Sequence, residues 1–168
     1  MEYVRAGCAS LIALVFVASA VSKMRDFDGF ARSLPALATV RPGLVRPLAM
    51  VVVVAEAVTP VLLVIPPVTS YGFALGFVLL AAFTTAIAVA VRRGRHAPCR
   101  CFGVSSTPVG PRHLVRNTAL AFMAALGGLA PQQIPPPAGL AVAAAAGLIG
   151  AILIVSFDDI VDLFARSS

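Results

Sequence analysis

Charged side chains are scarce in this sequence: Asp, Glu, Lys and Arg make up only 12% of its 168 residues. Hydrophobic residues account for 60%, whereas a soluble domain has roughly 45–50%. The mean hydropathy of the chain is +0.97. This composition excludes an ordinary soluble domain and predicts an integral membrane protein.

Acidic residues are scarcer still, with seven against thirteen basic residues and a formal net charge of +6. In a soluble domain this excess would favour nucleic acid as a partner. Here the basic residues lie at the ends of hydrophobic segments, which is typical of orientation by the positive-inside effect and of contact with anionic lipid headgroups. We therefore expect membrane lipid, and not nucleic acid, to contact these charges.

Long polar stretches are also scarce, and the main one lies in the middle of the chain. Residues 92–113, RRGRHAPCRCFGVSSTPVGPRH, hold two of the three cysteines, both histidines and five of the thirteen basic residues. If the protein carries out chemistry, this polar CxC loop is where we expect it.

Cys99 and Cys101 are separated by one residue. They can form a disulfide in an extended or turned backbone, since the required Cα separation is roughly 4.4–6.8 Å. The small ring is strained, so it is easier to reduce than a structural disulfide. Positive charge favours the thiolate, and four arginines flank the pair: Arg92, Arg93, Arg95 and Arg100. The pattern predicts a reactive dithiol.

Two other interpretations of this loop stay open. Four ligands for a soft or borderline metal ion are present, namely Cys99, Cys101, His96 and His113, although paired zinc cysteines are usually separated by at least two residues. Alternatively, both cysteines are incidental thiols beside a lipid-facing basic cluster. The third cysteine, Cys8, is interpreted as a small buried hydrophobe of the first helix.

Five hydrophobic segments, at about 4–21, 48–65, 68–91, 114–130 and 138–155, predict an all-α polytopic bundle that forms one membrane domain over residues 1–168. Each segment is long enough to cross roughly 30 Å of hydrocarbon. Between the first two, Phe27, Phe30 and Leu34 recur at helical spacing and predict a short amphipathic helix in the interface. Three prolines are expected to break this connection, Pro35, Pro42 and Pro47.

Polar residues within the segments are candidates for the interior of the bundle. A carboxylate at Glu56 costs at least about 2.5–3.5 kcal/mol unless it faces a partner or a wet cavity. Glu56 is either a proton acceptor or ligand contact near the redox site, or a hydrogen-bonded or protonated packing residue. Arg116 and Asn117 are candidates to bind a thiolate, a substrate carbonyl or Glu56; the alternative is a snorkelling arginine and a helix-start amide.

Two further expectations concern the first and last segments. Arg5 lies close enough to the end of the first segment to snorkel toward the membrane surface. The last segment is rich in small residues, and Gly139, Gly147 and Gly150 allow close packing against a neighbouring helix, in this chain or in a partner.

The basic residues predict the orientation. With five spans, all of them except Arg5 fall on one face, so the positive-inside rule places the N-terminus outside and the CxC loop on the cytoplasmic side of a bacterial-type plasma membrane. There the cysteines would rest reduced and face thioredoxin-like partners. If only four segments span, with one re-entrant or removed as a signal, the orientation changes.

Several of these elements together resemble the methylamine utilisation MauE family, which belongs to the DoxX-like group of small helical membrane proteins. They are PCRCFG after a membrane helix, the Arg116-Asn117 pair, Glu56, and the Ser22-Lys23 ending of the first helix followed by Phe30 and Leu34. The resemblance covers roughly residues 5–130. It implies an antiparallel core of four helices, here with a fifth hydrophobic helix added, and a redox-associated role. The founding member of the family is linked to maturation of a periplasmic, disulfide-rich methylamine dehydrogenase subunit.

By this resemblance Cys99 and Cys101 are the redox pair, with Glu56, Arg116 and Asn117 as supporting polar residues. Lys23 and His96 are further candidates for a supporting role. The function expected is a membrane thiol–disulfide redox protein that uses the CxC pair to support disulfide formation or maturation of an exported partner protein; a thiol–disulfide oxidoreductase is one form that this function can take. No cofactor is certain; a quinone is a candidate electron carrier, and no sequence feature marks a site for it. The alternatives are a metal-handling membrane protein and a non-catalytic membrane scaffold subunit.

Overall fold

The computed structural model describes residues 2–37, 40–94, 111–132 and 136–156, and the regular structure within them is entirely helical. The helices are α1 Glu2–Arg25, α2 Phe27–Leu37, α3 Val45–Val64, α4 Thr69–Arg92, α5 Pro111–Leu129 and α6 Pro137–Val155. Apart from a few residues at their ends, the five long helices coincide with the five predicted hydrophobic segments. The expected all-α polytopic bundle is confirmed.

Prolines shape the connections around α3. Pro42 opens a 3-10 turn, Pro42–Leu44, that leads into α3, and Pro66 opens a second one, Pro66–Val68, that leads into α4. A proline fits the first position of a helical turn because the N–H of that position has no partner within the turn. The chain therefore reverses between α3 and α4 within a few residues.

Pro35 does not break the amphipathic helix as expected, because it lies inside α2. Its missing N–H falls in the last turn, so only one helical hydrogen bond is lost before the helix ends at Leu37. Pro47 likewise lies within α3, in the first turn, where an amide has no helical acceptor in any case.

Four helices form an antiparallel bundle in which each packs against two neighbours. Helix α1 packs against α3 and α5, and α4 packs against the same two from the opposite side. The core between them includes Ile12 and Phe16 of α1, Phe73 and Leu80 of α4, and Leu120 of α5, all of them buried. The expected four-helix core is present, and α6 is the added fifth helix, packed on the outside of α1.

The bundle has two ends, which we name after one residue each. The Lys23 end contains the ends of α1 and α4 and the beginnings of α3 and α5; the Arg5 end contains the beginning of α1 and the end of α5. Within the described part of the chain, four stretches are long and apolar enough to cross a membrane: Tyr3–Arg25, Pro42–Val64, Pro66–Arg92 and Pro137–Val155. The chain is an integral membrane protein.

Helix α5 is not among these four stretches. Its first turns carry Arg112, His113 and Arg116, which lower its hydropathy. Even so, α5 runs the height of the bundle: Asn117 lines a cavity with Lys23, and the carbonyl of Ala130 just beyond its end accepts a hydrogen bond from Arg5. Helix α5 completes the bundle with His113, Arg116 and Asn117 buried inside it.

Helix α2 is amphipathic, as predicted, and its apolar face lies against the protein. Phe30 and Leu34 are buried with Ala49 and Val53 of α3, and Leu37 packs with Ile87 of α4. Its outer face carries the exposed Asp28, Arg32 and Pro35. Helix α2 therefore covers the Lys23 end of the bundle.

Small residues join α6 to α1, which confirms the expected close packing within the chain. A Cβ added at Gly147 would lie 2.6 Å from Cβ of Ser10 and 2.8 Å from the carbonyl oxygen of Gly7. Gly139 and Gly150 approach Tyr3 and Leu11 in the same way. The glycine face of α6 is thus occupied by α1 and is not free for a partner helix.

We predict that Gly147→Ala destabilises the protein, because the new methyl group has no room against the backbone of α1. The loss in the free energy of unfolding should be about 1–3 kcal/mol, measured by thermal unfolding in detergent. Gly7→Ala is the matched control in the facing helix, since its methyl group would make an ordinary contact at 3.6 Å with the carbonyl oxygen of Ala143. Equal stability of the two variants would contradict this packing.

Candidate functional site

A buried ion pair lies inside the bundle, between the end of α1 and the middle of α3. Nζ of Lys23 is 2.8 Å from Oε1 of Glu56, and both side chains are 1% exposed. Nζ of Lys23 also donates to Oγ of Ser19 at 2.6 Å, and that hydroxyl donates to Oε1 of Glu56 at 3.1 Å. Ser19 and Lys23 are four residues apart on α1, so they share one helix face.

Two aromatic rings close the remaining sides of the ammonium group. Nζ of Lys23 lies 5.2 Å from the ring centre of Phe30 in α2 and 5.3 Å from that of Phe83 in α4. Within about 6 Å, the face of an aromatic ring attracts a cation. Four helices thus contribute to holding this one lysine.

Asn117 of α5 extends the polar cluster on its other side. It is 2% exposed and lines a cavity of about 10 Å³ together with Ser19, Lys23 and Glu56. This volume is close to the space that one water molecule needs. Within the described residues, neither Oε2 of Glu56 nor Oδ1 of Asn117 accepts a hydrogen bond. The cluster therefore offers two buried acceptor oxygens beside a small space.

Pro60 removes one main-chain hydrogen bond from α3, the helix that carries Glu56. Because it lies inside α3 and has no N–H, the carbonyl of Glu56 one turn earlier receives no helical hydrogen bond from it.

His113 and Arg116 lie on the first turns of α5, close in sequence to Asn117. They are 1% and 5% exposed, so both are turned into the protein. The alternative of a snorkelling Arg116 is therefore wrong: α5 is enclosed between α1 and α4, and its polar residues are held inside the bundle. We use the name polar cluster for Ser19, Lys23, Glu56 and Asn117, which line the cavity, together with the buried His113 and Arg116 that precede Asn117 on α5.

The structure brings together three of the predicted supporting residues, namely Lys23, Glu56 and Asn117. Cys99, Cys101 and His96 lie outside the described residues, so their predicted roles stay predictions. Of the four proposed metal ligands only His113 is described, and a search of the described ranges finds no group of His, Cys, Asp or Glu arranged to hold a metal ion.

Sequence reasoning missed Ser19, Phe30 and Phe83 as parts of the site. A signal existed for Ser19, because its spacing of four residues from Lys23 places both on one face of a helix. For Phe30 and Phe83 the sequence offers none, since an aromatic residue in an apolar helix is typical of ordinary packing.

At the opposite end Arg5 does not snorkel, and that expectation is wrong. Its guanidinium donates to the carbonyls of Gly127 and Ala130 at 3.2 and 2.9 Å and to Oγ of Ser70 at 3.0 Å. The last carbonyls of a helix have no partner within it, so Arg5 caps α5 instead of reaching the membrane surface. Cys8 lies close by, buried in the core as predicted.

The family comparison covers the helices that build the polar cluster. The family model described as Methylamine utilisation protein MauE matches residues 1–130. The chain belongs to the MauE family. The MauE match contains α1 to α5, and therefore every residue of the polar cluster, whereas α6 follows it.

A curated MauE relative agrees with this assignment. The chain is 38% identical over 128 residues to the Methylamine utilization protein MauE of Paracoccus denitrificans, in a match that covers 69% of this chain and 65% of the relative. The chain thus spans slightly less than two thirds of that relative's length. No solved structure shows a significant match.

We predict that the Lys23–Glu56 pair acts as a unit in stability. Lys23→Met and Glu56→Gln should each lower the free energy of unfolding by about 3–5 kcal/mol, because each leaves a buried polar partner without its counterpart. The double variant should lose clearly less than the sum. Thermal unfolding of all variants in the same detergent measures this coupling.

The exposed ion pair between Arg46 and Asp28, with side chains 75% and 64% exposed, provides the control. Arg46→Gln should change stability by about 0–1 kcal/mol. Strictly additive losses for Lys23→Met and Glu56→Gln would show that the two groups do not interact.

Proposed function

We propose that this MauE-family protein is a membrane thiol–disulfide redox protein that uses Cys99 and Cys101 to support disulfide formation or maturation of an exported partner protein. The family assignment supports a role in the same process as the relatives, whose name refers to methylamine utilisation. The partner protein is proposed to belong to that process.

The observation that carries this proposal is the position of the polar cluster. The segment with the two cysteines is bonded to Gly94, just after α4, and to Pro111, the first residue of α5. Both residues are at the Lys23 end, and Arg112, His113 and Arg116 follow directly in α5. A buried set of charged and hydrogen-bonding groups thus lies next to the points where the CxC segment enters and leaves the bundle.

The exchange is written in balanced steps. A thiolate of Cys99 or Cys101 attacks one sulfur of a partner disulfide, so that a mixed disulfide forms and the other partner sulfur leaves as a thiolate. The second cysteine attacks the mixed disulfide, closes the Cys99–Cys101 disulfide and releases the second partner thiolate. Two electrons pass to the partner, which takes up two protons. Run in reverse, the same steps oxidise a dithiol of the partner and reduce the Cys99–Cys101 disulfide.

The polar cluster has two roles in this proposal. Arg116 supplies positive charge near a thiolate, which favours the reactive form of a cysteine. Glu56 is the proton acceptor, since it lines the small cavity and its Oε1 is paired with Lys23, while its Oε2 has no hydrogen-bond partner among the described residues. Asn117 lies beside it in the lining of the cavity, and its amide oxygen is available to a hydrogen-bond donor there.

The orientation proposed is that of the positive-inside rule. Every described basic residue except Arg5 belongs to the Lys23 end, which supports an outside N-terminus and a cytoplasmic CxC segment. A thioredoxin-like protein is then the electron partner on that side, and a quinone in the membrane is the alternative carrier.

We predict that single-cysteine variants trap the exchange intermediate. Of the two variants Cys99→Ala and Cys101→Ala, one keeps the attacking cysteine and loses the resolving cysteine. That variant should accumulate a mixed disulfide with its partner, because no second cysteine resolves it. Non-reducing gels of cells blocked with a thiol reagent should show an adduct that a reductant removes.

Cys8→Ala is the matched control, since Cys8 is buried in the core near the Arg5 end. It should leave the pattern of adducts unchanged, and the double variant Cys99→Ala with Cys101→Ala should show none. An adduct that depends on Cys8 would contradict the proposal, as would full biological activity of the double variant.

The orientation is tested separately by labelling. A membrane-impermeant thiol reagent should label Cys99 and Cys101 in inverted vesicles and not in intact cells, because the basic residues hold this face inside. Labelling in intact cells that appears only after reduction would overturn the orientation while supporting an outward-facing disulfide.

A further inference from the structure

A groove lies on the outside of the Lys23 end, between α2 and the beginning of α3. It has a volume of about 470 Å³, and its walls are mainly apolar: Ala31, Pro35, Val40, Pro42 and Val45. Its charged residues are Asp28, Arg32 and Arg46. None of these residues belongs to the polar cluster, so the groove is a second, separate feature of this end.

The charges at the groove do not cancel. Nη2 of Arg46 is 2.6 Å from Oδ1 of Asp28, which balances one arginine, while the exposed Arg32 on the same face of α2 contributes a further positive charge. Arg41 lies next to Pro42 and is also exposed. Because the Arg46–Asp28 pair is largely exposed, it is weak, and Arg46 can exchange its carboxylate partner for another anion.

The groove lies at the level where a membrane-spanning stretch begins. The stretch Pro42–Val64 is long and apolar enough to cross the membrane, and Pro42, Val45 and Arg46 form its first turns. Arginines at this level meet lipid headgroups, while the apolar wall beside them meets the glycerol and the upper part of the acyl chains. An anionic group with an apolar tail matches both parts of the groove.

We propose that this groove is a binding site for one anionic phospholipid, with its phosphate held by Arg32 and Arg46 and its upper acyl chain against the wall formed by Pro35, Val40 and Val45. The binding of Arg46 to the phosphate competes with its ion pair to Asp28. This site is independent of the redox function proposed above.

The test uses the full chain in detergent with an equimolar mixture of phosphatidylglycerol and phosphatidylcholine that have the same acyl chains. Native mass spectrometry measures the ratio of the two lipids retained. The unchanged protein should retain phosphatidylglycerol preferentially. In the double variant Arg32→Gln with Arg46→Gln, the ratio of phosphatidylglycerol to phosphatidylcholine should fall roughly fivefold for each arginine removed. Asp28→Asn should raise the ratio, because it frees Arg46 from its carboxylate.

Arg92→Gln with Arg93→Gln is the matched control, since these two arginines end α4 at the same face but do not line the groove. This variant should keep the original ratio. An equal fall in it would overturn the proposal in favour of unspecific surface charge. A ratio near one for the unchanged protein, or no rise for Asp28→Asn, would also overturn it. Circular dichroism tests whether each variant remains helical. If the double arginine variant does not fold, the lipid ratio of Asp28→Asn alone decides whether the proposal stands.

Discussion

The arrangement of this bundle depends on the ion pair between Lys23 and Glu56. A carboxylate in the middle of a membrane helix is costly unless it has a partner, and here the partner comes from the neighbouring helix at 2.8 Å. This distance fixes the height and rotation of α3 against α1. Phe30 and Phe83 then complete the enclosure from α2 and α4, so that four elements are positioned by one pair of charges.

The two ends of the bundle use their buried cations differently. At the Lys23 end the cation is neutralised by a carboxylate, and Asn117 of α5 lies beside a small cavity. At the Arg5 end the guanidinium donates hydrogen bonds to two carbonyl groups at the end of α5 and to one hydroxyl group of α4. The first end retains hydrogen-bonding capacity, whereas the second is a structural clamp.

The helices could be predicted from the sequence because a membrane demands long, uninterrupted apolar segments whatever the topology. The inward position of Glu56 followed from the same constraint. That Lys23 is its partner could not be predicted, because the pairing depends on which helices are neighbours and how each is rotated. Arg5 shows the same limit: a basic residue near a helix end can reach outward or cap a neighbouring helix, and only the position of α5 decides. Pro35 was misjudged because one missing amide near a helix end is inexpensive.

The role proposed for the cysteines rests on local sequence alone, since two thiols one residue apart among arginines have recognisable chemistry. The supporting residues are a different matter. Ser19, Glu56 and Asn117 come from three helices that are far apart in sequence, and their approach depends on the closed antiparallel order of the bundle.

The pairing of Lys23 with Glu56 also bears on how the chain enters the membrane during synthesis. Helices α1 and α3 are consecutive membrane-spanning elements, so both members of the pair are in the membrane as soon as α3 has been inserted. The two helices can enter as a hairpin in which the charges meet at once. A partner located in α6 would leave the carboxylate exposed to hydrocarbon through the insertion of two more helices. The order of the helices along the chain thus protects the most costly residue of the fold at its earliest stage.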